Sequence, residues 1–498
     1  MTITFTVPAP ADDAVHHARA AAGNLAAADA AIGALTGALE GTADYTKILL
    51  RAAAGAGKSF ALVRMVNAAL AHPACARVAV SAFANKQVFP LAGRLGDELG
   101  ADAVCLFVAG ARRGEVPPNV EAAVTVATTT SQIPVDARVV LGVSHKLGAI
   151  NELHRLLDQL GPGLNGTAPF DVLFVDEAWQ LPLHRFHTID RHAPLVVGVG
   201  DVGQLPPLDP GQNPWRGDPG YNPYRAWPTA FDGQHTTFGI DLPAVWRPHA
   251  AQLPLWRTFY SDWDRLDCVA APGDRYLTLP GPPDLPEPAA AVWGHVATGV
   301  PTLVEVAGLD DAEAPDVDLP LLGVVEELLA PLLDAGFAVH ERTYDGNGDP
   351  RPGSATVESK APGGDPLIVL LATRNQAVDD AQDLVDRLTA AHDLPEGVLV
   401  ASTVDSWQGQ TNRITVALHP LSGAGSLDEF NSAFGRLAVT CTRATHGLLV
   451  VARAGLDQLL TDAPARPGTP FGEPGTRTLP RQTHRRILDA FARATYQA

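Results

Sequence analysis

KILLRAAAGAGKSFALVRMVNAAL, residues 47 to 70, decides how the rest of the chain is read. An apolar run of strand length leads into a glycine loop, and the loop leads into a helical stretch. Backbone N–H groups of such a loop can wrap phosphates at the start of the following helix. Lys58 would then reach the β- and γ-phosphates of ATP, and the Ser59 hydroxyl would hold Mg²⁺. The strict pattern G-x-x-x-x-G-K-[ST] fails at its first position, where Ala52 stands, but Gly55, Gly57, Lys58 and Ser59 keep its essential parts. An ordinary glycine turn is the alternative. The strand before and the helix after favour phosphate binding.

Outward from this stretch the same alternation repeats. RVAVSAF, TVATT, VLFVDE and LVVGVGD are strand-like and separated by helical stretches. A second set follows with PTLVEV, LIVLLAT, VLVAST, RITVAL and HGLLVVA. Strands alternating with helices predict α/β domains with parallel sheets covered on both faces. Residues 11 to 40 are Ala-rich, with Leu25, Ile32, Leu35 and Leu39 near helical spacing, and predict a helix. Segments 207 to 228 and 271 to 288 are rich in Pro and Gly and read as surface loops. The expected organisation is a helical segment over 1–44, a first domain over 45–265, a Pro/Gly-rich connection over 266–320, a second domain over 321–460 and a basic tail over 461–498.

VLFVDEAWQLP, residues 172 to 182, ends a buried strand in two adjacent acids. Two carboxylates at a buried strand tip are costly without a cation. Beside a phosphate loop, Asp176 would hold Mg²⁺, and Glu177 would orient or deprotonate the attacking water. In VVGVGDVGQLPPL, residues 196 to 208, another strand ends in Gly200-Asp201, and Gln204 follows on a loop. A neutral amide there can hydrogen-bond the γ-phosphate or water without adding charge.

A chain of 498 residues with 46% hydrophobic and 18% charged residues is a globular protein of two or three domains. No apolar run approaches the roughly 20 residues of a membrane span. The start of the chain reads as lacking a signal peptide, and the four cysteines are scattered, so a reducing cytoplasm is expected. Net charge of −19 argues against nonspecific coating of nucleic acid, but not against a local basic groove. Residues 461 to 498 carry six arginines against three acids, a basic end on an acidic chain. Their helix-like stretch THRRILDAFARATYQ is expected to pack back onto the body.

AAAGAGKS, VDEAWQ and GDVGQLPP, in that order, resemble motifs I, II and III of superfamily 1 helicases. AVWRPHA (244–250) with FYSDWDRL (259–266), ATRNQAVDDAQDL (372–384), STVDSWQGQ (402–410) and GRLAVTCTRATHGLLVV (435–451) resemble the later motifs. Gln180 and the RLAVTCTRA pattern favour branch B, the group of the nonsense-mediated-decay RNA helicase and its DNA-acting relatives. The resemblance implies a P-loop ATPase of two RecA-like domains, with ATP and Mg²⁺ in the cleft between them and single-stranded nucleic acid across the top. It gives Lys58, Ser59, Asp176, Glu177 and Gln204 to the first domain. From the second, Arg247 and Arg443 would act as arginine fingers on transition-state charge, and Trp246 would stack on the adenine. Asn85, Lys86, Thr128, Thr403 and Ser406 would contact the nucleic acid, short polar groups that let an acidic protein grip a polyanion.

The implied activity is ATP-dependent translocation or unwinding on single-stranded nucleic acid, 5′ to 3′, by a monomer, with DNA ahead of RNA. Two departures matter. The usual glutamate of the fifth motif is replaced, since Gln410 is followed by Thr411, and no glutamine precedes Gln87 to read adenine. Both leave room for a second reading, a nucleotide-switched clamp on nucleic acid or a partner that hydrolyses slowly without moving. The span 87–172 has space for a small insertion at most, which favours translocation over strong unwinding.

Overall fold

In the computed structural model the apolar runs pair as strands of two large parallel sheets. The structure describes residues 3–164, 166–207, 213–215, 221–281, 284–314, 317–361, 366–427, 431, 434–463 and 480–498. Parts of the Pro/Gly-rich segments and most of the tail's first half (464–479) therefore lie outside the described residues.

The first sheet uses β1 (Lys47–Ala52), β2 (Val78–Ala82), β3 (Val104–Phe107), β4 (Thr125–Ala127), β5 (Val139–Val143), β6 (Val172–Asp176), β7 (Leu195–Gly200) and β8 (Thr237–Leu242). Their order is β4-β3-β5-β2-β6-β7-β1-β8. Central strands such as β6 and β7 are buried along their whole length, which is why they read as unbroken apolar runs instead of alternating ones. Helix α1 (His17–Glu40) lies along β8, α2 (Lys58–Ala71) follows β1 through the glycine loop, and α3 (Asn85–Leu99) follows β2.

Two short strands, β9 (Ala244–Val245) and β10 (Asp267–Cys268), then pair with each other. Three more, β11 (Arg275–Thr278), β13 (Ala338–Glu341) and β14 (Ala355–Glu358), make a small antiparallel sheet. The second large sheet holds β12 (Thr302–Ala307), β15 (Ile368–Ala372), β16 (Leu399–Thr403), β17 (Asn412–Leu418), β18 (Ala444–Arg453) and β19 (Ala492–Gln497), in the order β16-β15-β17-β18-β12-β19. The chain thus has two RecA-like α/β domains.

Two expectations are corrected. The span 266–320 is more than a connection, because PTLVEV supplies β12, paired between β18 and β19. The tail is not one helix. It runs as helix over Pro480–Leu488 and then turns into β19, whose alternating Ala492 and Ala494 are buried while Thr495 and Tyr496 suit a strand. That helix packs on helix Leu253–Phe259, which follows the first sheet, so the end of the chain ties the two halves together. One continuous apolar cluster accordingly contains residues of both sheets, among them Leu50, Trp256, Leu448 and Ile487.

Among the described residues no helix is long and apolar enough to cross a membrane. All four cysteines are buried and free. Of the aromatic residues in the loop after β7, Trp227 is a buried anchor stacked on Phe186 at 4.1 Å, whereas Trp215 and Tyr221 are exposed.

Candidate active site

The glycine loop sits where β1 ends and α2 begins. Gly55 (φ 66°) and Gly57 (φ 95°) adopt left-handed backbone conformations, which side chains disfavour. Gly55 has a second reason to be glycine: a Cβ there would lie 2.5 Å from the Cβ of Arg247. The loop is held from three sides. The Asn24 side-chain amide donates to the carbonyls of Ala56 and Ala244 and accepts from the Ala244 N–H, each at 2.8 Å. Trp246 N–H donates to the Gly55 carbonyl at 2.8 Å. The Tyr260 hydroxyl accepts from Ala54 N–H at 3.1 Å.

The acids converge on Lys58, whose Nζ lies 3.0 Å from Oε1 of Glu177. Asp176 is buried at the end of β6, and burial, reinforced by the neighbouring Glu177 charge, pushes its pKa up to about 7. Asp201, at the end of β7, is also raised by burial, against the pull of Lys58. Burial works against the charge on Lys58, but Glu177, Asp201 and Asp176 outweigh it and raise its pKa. Glu177 has φ 50°, a left-handed conformation that is uncommon outside glycine and concentrates at functional sites. Its Oε2 accepts from Gln180 at 3.1 Å.

Gln204 spans two elements. Its amide donates to Asp201 at 2.6 Å and accepts from Gln408 of the second sheet's loop at 3.3 Å. A Cβ on Gly435 would meet the Gln204 carbonyl at 3.0 Å, so the helix Gly435–Cys441 leans directly on this turn.

The two arginines face this acidic group. Arg443 is fully buried between that helix and β18, donating to the carbonyls of Val439 (3.0 Å) and Gln410 (3.3 Å) and to the Thr442 hydroxyl (2.9 Å). Arg247 is corrected in its origin. It follows β9 on the first sheet's side, against Gly55, and reaches across to the Thr442 carbonyl at 2.9 Å. Burial, then repulsion by Arg443, lowers its pKa to about 9. Among the described residues neither arginine forms an ion pair, so two buried cations share a cleft with nothing anionic bonded to them. The cleft is therefore matched to an anion.

Trp246 lines a cavity of about 610 Å³ bounded by α1, the glycine loop and the second half of the chain, with Phe60, Arg247, Tyr344 and Thr411 also on its wall. Its ring stands edge-on to Tyr344, with centroids 6.4 Å apart. Arg275 fixes this segment from behind, donating to the carbonyls of Trp246, Arg247 and Pro248 and pairing with Glu341.

Of the residues expected at nucleic acid, four come together. Asn85 and Lys86 open α3, and Lys86 Nζ donates to the Ser406 carbonyl at 3.4 Å, while Ser406 N–H donates to the Thr403 hydroxyl at 3.0 Å. Thr128 does not join them. It follows β4 at the sheet edge, three strands from β2, where its hydroxyl and N–H are taken by Gln132.

Asp201, Tyr260 and Asn24 were missing from the expected site. Asp201 and Tyr260 stand inside stretches already singled out, GDVGQ and FYSDW, and Tyr260 O–H donates to Asp201 at 2.9 Å. Asn24 has a fainter signal, a lone amide on the otherwise Ala-rich α1. For Mg²⁺ the donors fit in kind: Asp176 is a buried carboxylate with no cation bonded to it among the described residues, and Ser59 lies on the first turn of α2.

No family model and no curated protein matches the sequence. Among solved structures, the chain is similar to the PRRSV helicase, at 14% identity and a TM-score of 0.37, covering 85% of this chain and 56% of that one. It is also similar to an arterivirus nonstructural protein 10 helicase in complex with DNA (16%, 0.38, covering 86% and 64%). A third is the Escherichia coli DEAH/RHA helicase HrpB (11%, 0.39, covering 87% and 43%). The chain spans 43% to 64% of the length of these three proteins.

Proposed function

We propose that the chain is an ATP-driven motor of the superfamily 1, branch B helicase type that moves along single-stranded nucleic acid, 5′ to 3′ and with DNA ahead of RNA, as a monomer. One observation carries this reading. Lys58, Glu177, Asp201 and Gln204 on the first sheet, with Arg247 on the same side, face Arg443 across a cleft between two parallel sheets.

The chain's own groups divide the work. Lys58 leaves Glu177 for the β- and γ-phosphates, which frees the Glu177 carboxylate to accept a proton from the attacking water. Arg247 and Arg443 neutralise charge that develops on the transferred phosphoryl group. Ser59 and Asp176 would hold Mg²⁺, which when bound offsets phosphate charge. Trp246 and the cavity beside it accept the nucleoside, and Thr411 on that wall offers a hydroxyl where a carboxylate would grip more strongly. Gln204, bonded to Asp201 on one side and Gln408 on the other, links the state of the phosphates to the second sheet. Asn85, Lys86, Thr403 and Ser406 grip the strand where the two sheets meet.

Steady-state ATPase assays with and without single-stranded DNA or RNA test the proposal, with Lys58→Ala as the blank. Stimulation by one polymer that disappears in the variant supports a motor and identifies its track. Directional displacement of a protein block from the strand then separates a motor from a clamp, since a clamp hydrolyses slowly and displaces nothing.

A further inference from the structure

Glu177 is tied to α3 by side chains that the proposed chemistry has not used. The Ala84 N–H donates to Oε1 of Gln87 at 2.9 Å, Gln87 Nε2 donates to Oε1 of Gln180 at 3.1 Å, and Gln180 Nε2 donates to Oε2 of Glu177 at 3.1 Å. The direction of this chain follows from its ends. A backbone N–H can only donate and an ionised carboxylate can only accept, so both amides between them have one orientation that satisfies every link. Gln87 stands next to Lys86 on the first turn of α3, and Lys86 reaches Ser406 of the second sheet.

We propose that Gln87 and Gln180 are positioning residues, a directional hydrogen-bonded relay through which a strand bound at Asn85 and Lys86 sets the Glu177 carboxylate for hydrolysis. The inference rests on the motor reading above and adds its coupling element. Lys58 holds Oε1 of Glu177, and the relay holds Oε2. Once phosphates take Lys58, the relay is the remaining side-chain hold on this carboxylate among the described residues. Glu177 is kept in a left-handed backbone conformation, so a small shift at the start of α3 re-aims its carboxylate through two amides.

Gln87→Glu isolates the relay. The new carboxylate still accepts from Ala84 N–H and keeps the helix start, but it has no N–H to give Gln180. ATPase would be measured at saturating ATP with and without oligothymidylate, alongside the KM for ATP and the Kd for the oligonucleotide. Unstimulated rate, KM and Kd are expected within about twofold of the parent, while the stimulated kcat falls about tenfold or more. Gln180→Met breaks the same relay from its other side, and the double variant is expected to lose no more than either single one. Should Gln87→Glu fail to fold, Gln180→Met reads the same link. Stimulation that survives in the variants, or a loss equal with and without polymer, overturns the relay while leaving the motor intact. A parent protein that no polymer stimulates overturns both.

Discussion

At Glu177 three demands meet in one residue: a left-handed backbone, an ion pair with Lys58 and a hydrogen bond from Gln180. Replacing only its charge should therefore spare the fold. Glu177→Gln is expected to lower kcat about 100-fold or more with little change in KM for ATP, read by steady-state kinetics. Tyr260 makes a different prediction. Its hydroxyl serves the buried Ala54 N–H and Asp201 together, so Tyr260→Phe leaves a buried donor unpaired and one carboxylate short of a partner. A loss of about 1–3 kcal/mol in denaturant unfolding is expected, with weaker nucleotide binding because the glycine loop loses a support. Most residues that the structure gathers at the cleft were legible in the sequence because phosphate chemistry, which they are proposed to perform, demands particular groups at short spacings: Lys58 beside Gly57, Glu177 beside Asp176. Tyr260 and Asn24 were not, since their roles exist only once distant segments meet.

Among the elements, α3 matters twice, as the base of the relay and as a packing surface. A Cβ on Gly96 would lie 2.1 Å from the Ala123 carbonyl, so α3 and helix Pro118–Ala123 touch backbone to backbone. Gly96→Ala gains helix propensity but must push the two apart. A net destabilisation of about 1–3 kcal/mol is expected, seen as a lower melting temperature, with the kcat of the surviving folded protein nearly unchanged. Helices and strands with strong periodicity or long apolar runs were readable in advance. The final strand β19 was not, because ARATYQ has no run of its own and becomes a strand by pairing with β12. Likewise PTLVEV reads as a strand locally, but its place between β18 and β19 is a fact of topology.

For the whole molecule, buried histidines tie stability to pH. His446 donates from Nε2 to the His340 carbonyl at 3.0 Å and shares a 2.7 Å bond with the Thr445 hydroxyl, and burial, then the charge of Arg275, lowers its pKa to about 3. His249, beside the same arginine, is lowered to about 4, again chiefly by burial. The unfolded chain takes up protons near pH 6.5 that the folded one refuses, so their contribution to stability is whole above that pH and is lost as pH falls toward 4 and 3. Each histidine is expected to cost about 2 kcal/mol of stability on going from pH 7 to pH 5. Unfolding titrations at the two pH values should show that difference shrink by a similar amount in His446→Gln.

By itself the sequence determined the two parallel sheets, the glycine loop and the acids at strand tips, because these depend on short-range spacing and on apolar runs that must be buried. Only the tertiary structure decided that Arg247 sits on the first sheet's side of the cleft, that the chain's end closes the second sheet, and that Gln87 is bonded through Gln180 to Glu177. Those facts join residues far apart in the chain, and the physics that sets them, packing and hydrogen-bond satisfaction in a shared core, leaves no local pattern to read.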